Sequence, residues 1–155
     1  MKALTIWQPW ASLIILGHKP YEFRGWPVHK SLRGQRIAIH AGARPVKQSE
    51  IAGLIECLRG PEAWLTGLTA DALPALEALA DDPAQLSHSA VLGTAVLGKP
   101  IRATEIIHQF GGPVNDSDRS DQANFAWPML EISAFQPPIP ARGAQGFWNW
   151  KGSMT

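Results

Sequence analysis

The alternation of apolar and polar positions divides the chain into short strands. Gly93 lies inside a continuous apolar run, and a glycine there predicts a buried strand that bends. Pro128 lacks the N–H that a central strand needs, so its strand is predicted at a sheet edge or at a bulge. The pattern predicts strands at residues 3–7, 22–26, 36–40, 89–98, 126–133 and 146–150.

Helical spacing accounts for most of the other apolar positions. Residues 10–16 are apolar on nearly every side, which predicts a helix that is buried nearly all round and ends at Gly17. Residues 46–58 place apolar side chains at amphipathic spacing, and Gly60 with the following proline ends that helix. One or two helical turns are expected at 104–110.

Residues 61–86 differ from the rest in composition. From 62 to 86 the chain carries five acidic residues and no basic one, together with regularly spaced leucines. This predicts an acidic helical insertion whose short helices are interrupted near Pro74. Later, glycine, asparagine, aspartate and serine collect at 111–123, which predicts a surface loop, and an extended connector is expected at 136–140.

Length and composition indicate one domain. The chain has 155 residues, of which 45% are hydrophobic, enough for a substantial core in a single domain spanning 1–155. The net charge of +1 hides a segregation, because residues 1–47 hold eight basic residues and one acidic residue, whereas the rest hold six and twelve. The halves therefore carry +7 and −6, and the first is expected to form a positive face unless acidic neighbours neutralise it.

Cysteine content and hydropathy indicate the compartment. Cys57 is the single cysteine, so no internal disulfide forms, and a reducing cytoplasmic setting is expected. The N-terminus lacks the apolar length of a signal peptide, and no apolar run approaches the roughly 18 residues of a membrane span, so no membrane partner is expected.

Two cations and one carboxylate crowd the segment that follows the first apolar helix. In an extended segment Glu22 and Arg24 point to the same side, and Lys19 comes from the preceding turn. Arg24 offers planar paired donors to a phosphate or base edge, and Lys19 offers a mobile point charge. Glu22 can orient either cation or accept a hydrogen bond from the amine of a base.

Several other residues are candidates for contact with nucleic acid. Trp7 and Trp26 flank the charged segment and could stack on unpaired bases, a contact worth about 1–3 kcal/mol. His40 ends a predicted strand close to Arg44, and packing explains this histidine as well as ligand contact does. Arg142 lies among glycines that allow close backbone approach, although a plain hairpin loop is an equal alternative.

Three motifs together resemble the ASCH domain, the activating signal cointegrator homology family of the PUA-like superfamily. They are residues 7–13 with the sequence WQPWASL, the G-x-K-x-x-E-x-R pattern of 17–24, and Arg33-Gly34 leading into the strand at 37–41. The resemblance covers most of the chain except the insertion. It implies an α+β fold, a small β-barrel of about five or six strands with flanking helices. It also implies a cleft that is lined by the motif and receives nucleic acid, with RNA as the expected ligand. Gln8 is a further candidate contact residue in this cleft.

An enzymatic alternative uses the same cleft. Lys19 could act as a general base and Glu22 as its acid or base partner, in a ribonuclease or in a modified-nucleoside hydrolase. Some ASCH proteins deacetylate a modified cytidine with a lysine, a threonine and a glutamate. Glu22 stands where that threonine nucleophile would be, so this chain departs from the pattern.

A protein-interaction adaptor is the third hypothesis, with the acidic insertion and the loop at 111–123 as candidate surfaces. No cofactor is implied. The five histidines lack the spacing of metal ligands, and one cysteine cannot build a structural zinc cluster, so no metal site is expected.

Overall fold

The computed structural model of the chain describes residues 1–112 and 125–152. The strands are β1 (Lys2–Ile6), β2 (Tyr21–Arg24), β3 (Arg36–Ala41), β4 (Ala90–Leu97), β5 (Ile101–Arg102), β6 (Phe125–Pro140) and β7 (Phe147–Asn149). The α-helices are α1 (Trp10–Ile15), α2 (Gln48–Arg59), α3 (Ala72–Asp81) and α4 (Ile107–Phe110). Short 3₁₀ helices lie at Lys30–Leu32, Ala63–Thr66, Pro83–Gln85 and Ala103–Ile106.

The strands form one curled sheet in the order β2-β6-β4-β3-β1-β7, and β5 pairs with β6. β1 and β3 run parallel, and the other neighbours are antiparallel. The sheet curls into a half-barrel with helices packed on it, so the predicted α+β small-barrel class is confirmed. The described residues contain seven strands, because the two-residue β5 is too short for a sequence pattern to indicate.

Gly93 is the point at which β4 bends, as predicted. The pairing of β4 with β6 changes register between Val91 and Gly93. A β-carbon added at Gly93 would clash with the carbonyl oxygen of Ser133 and lie 2.9 Å from Ala134 Cα. Only glycine allows the two strands to approach this closely, so the residue fixes the curl of the sheet.

Of the two positions predicted for the strand containing Pro128, the sheet edge was wrong, whereas a register change does occur near the proline, between Leu130 and Ser133 in the pairing with β4. β6 lies between β2 and β4, and it continues through 136–140, where only an extended connector was expected. Pro128 is tolerated because it comes one residue beyond the last pair with β4, Leu97 with Met129. Its carbonyl still accepts a hydrogen bond of 2.9 Å from the Gly98 N–H.

Helix α1 joins two apolar cores. Ile14 packs in the core that covers the sheet, and Leu13 packs in a second core formed with α2 and α3. The prediction of burial on nearly every side holds for Ala11, Leu13 and Ile14 but was wrong for Leu16, which is exposed just after the helix ends. The helix therefore holds the sheet and the helical layer together.

Residues 61–86 form short helices, as expected from their leucine spacing. Leu68, Leu76 and Leu79 pack with Ile51 of α2. The expected interruption at Pro74 was wrong, since α3 begins at Ala72 and Pro74 lies in its first turn, where a missing N–H leaves no hydrogen bond unmade. The predicted loop at 111–123 falls, except for its first two glycines, outside the described residues. No helix within 1–112 or 125–152 has the length and apolar character needed to cross a membrane.

Candidate nucleic-acid interface

A cleft of about 1120 Å³ opens between the end of β1, strand β2, and the segment 140–146 that links β6 to β7. Its walls bring together residues that lie far apart in the sequence. Three of the nine predicted contact residues, Gln8, Lys19 and Arg44, do not line it. The other six, Trp7, Glu22, Arg24, Trp26, His40 and Arg142, do.

Lys19 is buried behind Glu22 rather than open to the cleft. It is 1% exposed, and its Nζ donates to the Tyr21 carbonyl at 2.7 Å and lies 3.5 Å from Glu22 Oε2. The ammonium also lies 4.9 Å from the Phe23 ring centroid and 5.4 Å from a Trp10 ring centroid. Carboxylate, carbonyl and ring faces together compensate for a charge removed from water. Lys19 therefore supports Glu22 from inside the fold.

Arg24 presents its guanidinium at the cleft surface. Strand β2 places Glu22 and Arg24 on the same side, as their spacing predicts, and Arg24 Nε donates to Glu22 Oε1 at 3.0 Å. The guanidinium lies 5.8 Å from a Trp127 ring centroid. Its Nη1 and Nη2 groups have no hydrogen-bond partner within the part of the chain that the structure describes. One edge of Arg24 is thus fixed by protein, and the other is available to an anion.

His40 attaches the opposite wall of the cleft to the sheet. It is buried at the end of β3, where its Nε2 donates to the Ala141 carbonyl at 2.8 Å and its Nδ1 lies 3.1 Å from Thr5 Oγ1. Thr5 donates to the Ala144 carbonyl at 2.6 Å and accepts from Trp148 Nε1 at 2.9 Å. The Trp148 ring meets His40 edge to face, with centroids 5.3 Å apart. His40 therefore positions segment 141–146 rather than standing open to a ligand.

Arg142 projects from this anchored segment. A β-carbon at the next residue, Gly143, would clash with the His40 ring, so the absence of a side chain lets the backbone lie directly on the histidine. Arg142 is exposed, and it has no ion pair or hydrogen bond with another described residue. The wall predicted from the glycine-rich sequence thus carries a second accessible guanidinium.

Trp7 and Trp26 are unusually open for tryptophans, 58% and 55% exposed. Gln8 is buried instead, because its side-chain amide bonds with the backbone and hydroxyl of Ser12 and with the Ser87 carbonyl. It holds the start of α1 against the segment before β4. Its predicted ligand contact gains no support from the geometry, whereas both tryptophans lie where a base could stack.

Arg44 lies outside the cleft wall and against Trp7. Its guanidinium carbon is 4.6 Å from a Trp7 ring centroid, and its two terminal nitrogens donate to Glu50 at 2.7 and 3.1 Å. The Arg44 hydrogen bond holds the pKa of the Glu50 carboxyl below its usual range, and the Lys47 backbone N–H and both cations act in the same direction. Since the folded pKa is lowered, the ion pair is fully present above the ordinary glutamate pKa and is lost only as pH falls through the lower one.

Four of the eight basic residues in 1–47 form ion pairs with carboxylates in the described structure, namely Lys19, Arg24, Arg36 and Arg44. Arg36 pairs with Glu131 at 3.0 Å, and Arg44 pairs with Glu50. Of the eight basic residues in 1–47, all of which the structure describes, Arg24 lines the cleft. The positive character of the cleft therefore comes from two guanidiniums, Arg24 and Arg142, set against the Glu22 carboxylate.

Sequence reasoning missed three parts of this site. Thr5 and Trp148 complete the His40 hydrogen-bond network, and Glu50 fixes Arg44. Thr5 is a polar residue in a short apolar strand, a pattern that could have indicated a specific partner. Nothing in the sequence pairs Trp148 with Thr5, since 143 positions separate them.

Architecture and cleft together define a small α+β half-barrel whose cleft is lined by two arginines, Arg24 of β2 and Arg142 of the segment that links β6 to β7. The structural comparison identifies the fold as that of ASCH domains. Two variant crystal structures of ZmASCH from Zymomonas mobilis, a Ser-to-Ala and a Tyr-to-Phe mutant, each align with a TM-score of 0.52 over 97% of this chain. The alignments cover 88% and 90% of those chains at 16% identity. No protein-family model matches the sequence, and no curated protein matches it significantly.

A catalytic role for Lys19 and Glu22 stays a prediction. A general base must reach a proton of the substrate, and Lys19 is buried behind the carboxylate. The ion pairs place Lys19 and Glu22 as supports of Arg24.

Proposed function

We propose that this chain binds single-stranded nucleic acid, with a preference for RNA, in the cleft between β2 and segment 140–146. The observation that carries the proposal is the presence of two arginines, Arg24 and Arg142, in one cleft, with terminal N–H groups that have no partner among the described residues and suit phosphate oxygens. Glu22 orients the first, and the His40 network holds the segment that carries the second.

The size and shape of the cleft support an extended ligand. Sites for small molecules typically occupy about 300–1000 Å³ and enclose their ligand. A cleft of about 1120 Å³ exceeds that range and is partly open to solvent. A chain of several nucleotides, with phosphates at the arginines and bases toward the tryptophans, matches both properties. The expectation drawn from the ASCH resemblance points to the same class of ligand.

Replacing Arg142 with glutamine should weaken RNA binding and reduce its salt dependence. Each lost phosphate contact should lower the slope of log affinity against log salt concentration by about 0.7 for a single strand. The affinity of a labelled RNA of about ten nucleotides, measured by fluorescence anisotropy at about 50 and 200 mM salt, would show this change. Arg142 is exposed and makes no described contact, so the substitution leaves the fold unchanged.

Arg59→Gln is the matched control, because this exposed arginine pairs with Glu77 on the helical layer away from the cleft. It should leave both affinity and salt slope as in the unmodified protein. The same oligonucleotide made as DNA tests the preference for RNA. Absence of binding at low salt, an affinity indifferent to salt, or equal slopes for Arg142→Gln and Arg59→Gln would contradict the proposal.

A further inference from the structure

Trp7 presents an aromatic face to the cleft, although it belongs to the residue type with the most apolar surface to bury. It follows the last residue of β1 and lines the cleft, whereas Arg44, stacked at 4.6 Å from a Trp7 ring centroid, does not line it. The guanidinium therefore covers one part of the indole, and the part left open is turned to the cleft. Trp26, which is 55% exposed, lines the same cleft, so Trp7 is part of the exposed apolar surface of a concave site rather than an isolated surface residue.

Two further parts of the fold border the indole. Gly42, just beyond β3, lies beside the ring, where an added β-carbon would be in van der Waals contact with Trp7 Cδ1 at 3.4 Å. Behind the ring, Arg44 is fixed by two hydrogen bonds to Glu50, in the first turn of α2. Glu50 Oε1 also accepts from the Lys47 backbone N–H at 3.4 Å, which ties the carboxylate to the start of that helix.

This arrangement fixes the orientation of an exposed side chain before any ligand arrives. A forked arginine–carboxylate pair is more directional than a single contact, since two parallel bonds set the plane of the guanidinium. The guanidinium plane in turn supports the indole. A preformed aromatic face loses little conformational entropy when a flat ligand covers it, and this lowers the free-energy penalty of binding.

We infer that Trp7 is the stacking platform for one unpaired base of the bound strand, and that Glu50 is a positioning residue that holds this platform through Arg44. The inference rests on the proposed function, and it assigns the base contact to one wall of the same cleft. The occupant is a nucleobase because the platform shares its cleft with the two phosphate-binding candidates, Arg24 and Arg142. Every base has a π-face, so the platform recognises the presence of a base rather than its identity.

Two hexaribonucleotide probes test the inference, one intact and one with the same backbone and abasic residues throughout. In the unmodified protein, the intact strand should bind about 5- to 150-fold more tightly than the abasic one, the range expected for one stacked base. Trp7→Leu should remove most of this base-dependent ratio. The salt slope should persist in that variant, because Arg24 and Arg142 are unchanged. Trp7→Phe, which keeps a smaller aromatic face, should retain part of the ratio.

Glu50→Gln tests the positioning role. This variant should reduce the ratio of intact to abasic affinity several-fold while leaving affinity for the abasic strand unchanged, a pattern that loss of global stability alone would not produce. Glu77→Gln is its matched control, since Glu77 also pairs with an arginine, Arg59, but on the helical layer away from the cleft. The control should keep the ratio of the unmodified protein.

The outcomes separate this inference from the function on which it rests. If neither probe binds at low salt, the proposed function fails. If both bind equally in the unmodified protein, or Trp7→Leu leaves the ratio intact, RNA binding stands and the platform is overturned. If Trp7→Leu removes the ratio and Glu50→Gln does not change it, the positioning role of Glu50 is overturned.

Discussion

Replacing Glu22 with leucine is expected to lower the free energy of unfolding by about 3–5 kcal/mol, because it removes the carboxylate 3.5 Å from the buried Lys19 ammonium. The Lys19 ammonium stays buried in the variant, and a buried charge without its counter-charge lowers the stability of the folded state. Denaturant unfolding followed by tryptophan fluorescence would measure the change. The same substitution frees Arg24 Nε, so weakened RNA binding in this variant would not identify Glu22 as a ligand contact.

Two further variants separate the charge effect from packing. Lys19→Met should destabilise less than Glu22→Leu, because Glu22 lies at the cleft and keeps Arg24 at 3.0 Å. The double variant Lys19→Met/Glu22→Leu should be more stable than Glu22→Leu alone by at least about 1 kcal/mol, since the buried cation is gone. A double variant no more stable than Glu22→Leu would show that the buried charge is not the cause.

His40→Leu should destabilise the protein by about 2–3 kcal/mol and release the wall of the cleft. Leucine fills much of the ring volume but makes neither the 2.8 Å bond to Ala141 nor the 3.1 Å contact with Thr5. Unfolding experiments would give the stability. A larger increase in hydrogen exchange, relative to the unmodified protein, at the Ala141 amide, which donates to the Ser89 carbonyl, than at the amides of β3 would show that the loss is centred on this segment.

His88→Leu provides the matched control for His40. The His88 Nε2 atom is buried with no hydrogen-bond partner among the described residues, so replacing this histidine breaks no such bond at that nitrogen. Its stability should stay within about 0.5 kcal/mol of the unmodified protein or rise. Equal effects of the two substitutions would mean that the His40 hydrogen bonds do not anchor segment 141–146.

Local sequence patterns predicted the secondary structure well where one residue or one period decides it. The apolar run with Gly93 became β4, because glycine alone permits the approach to Ser133. The amphipathic spacing after residue 45 became α2, which buries Ile51. These elements follow from the sequence since their causes, side-chain periodicity and the steric freedom of glycine, are local.

The predictions were less accurate for elements whose neighbours in the fold are segments distant in the sequence. Pro128 indicated an edge strand, yet β6 is interior, because the proline falls where the pairing with β4 has just ended. Leu16 was expected to be buried with its helix, but the helix ends before that position and leaves it exposed. Both errors concern which neighbour a residue meets, and a local pattern does not contain that information.

The sequence alone determined which charged residues lie together on β2. Glu22 and Arg24 are two residues apart, so their side chains lie on the same side of the strand. Tertiary structure decided how the charges are used. Folding buries Lys19 beside Glu22 and pairs Arg36 with Glu131 across 95 positions, so carboxylates compensate both of these cations. It also brings Arg142 into the same cleft as Arg24 by fixing segment 141–146 to His40. The physical reason is that electrostatic interactions depend on distance and burial in space, and chain order specifies neither.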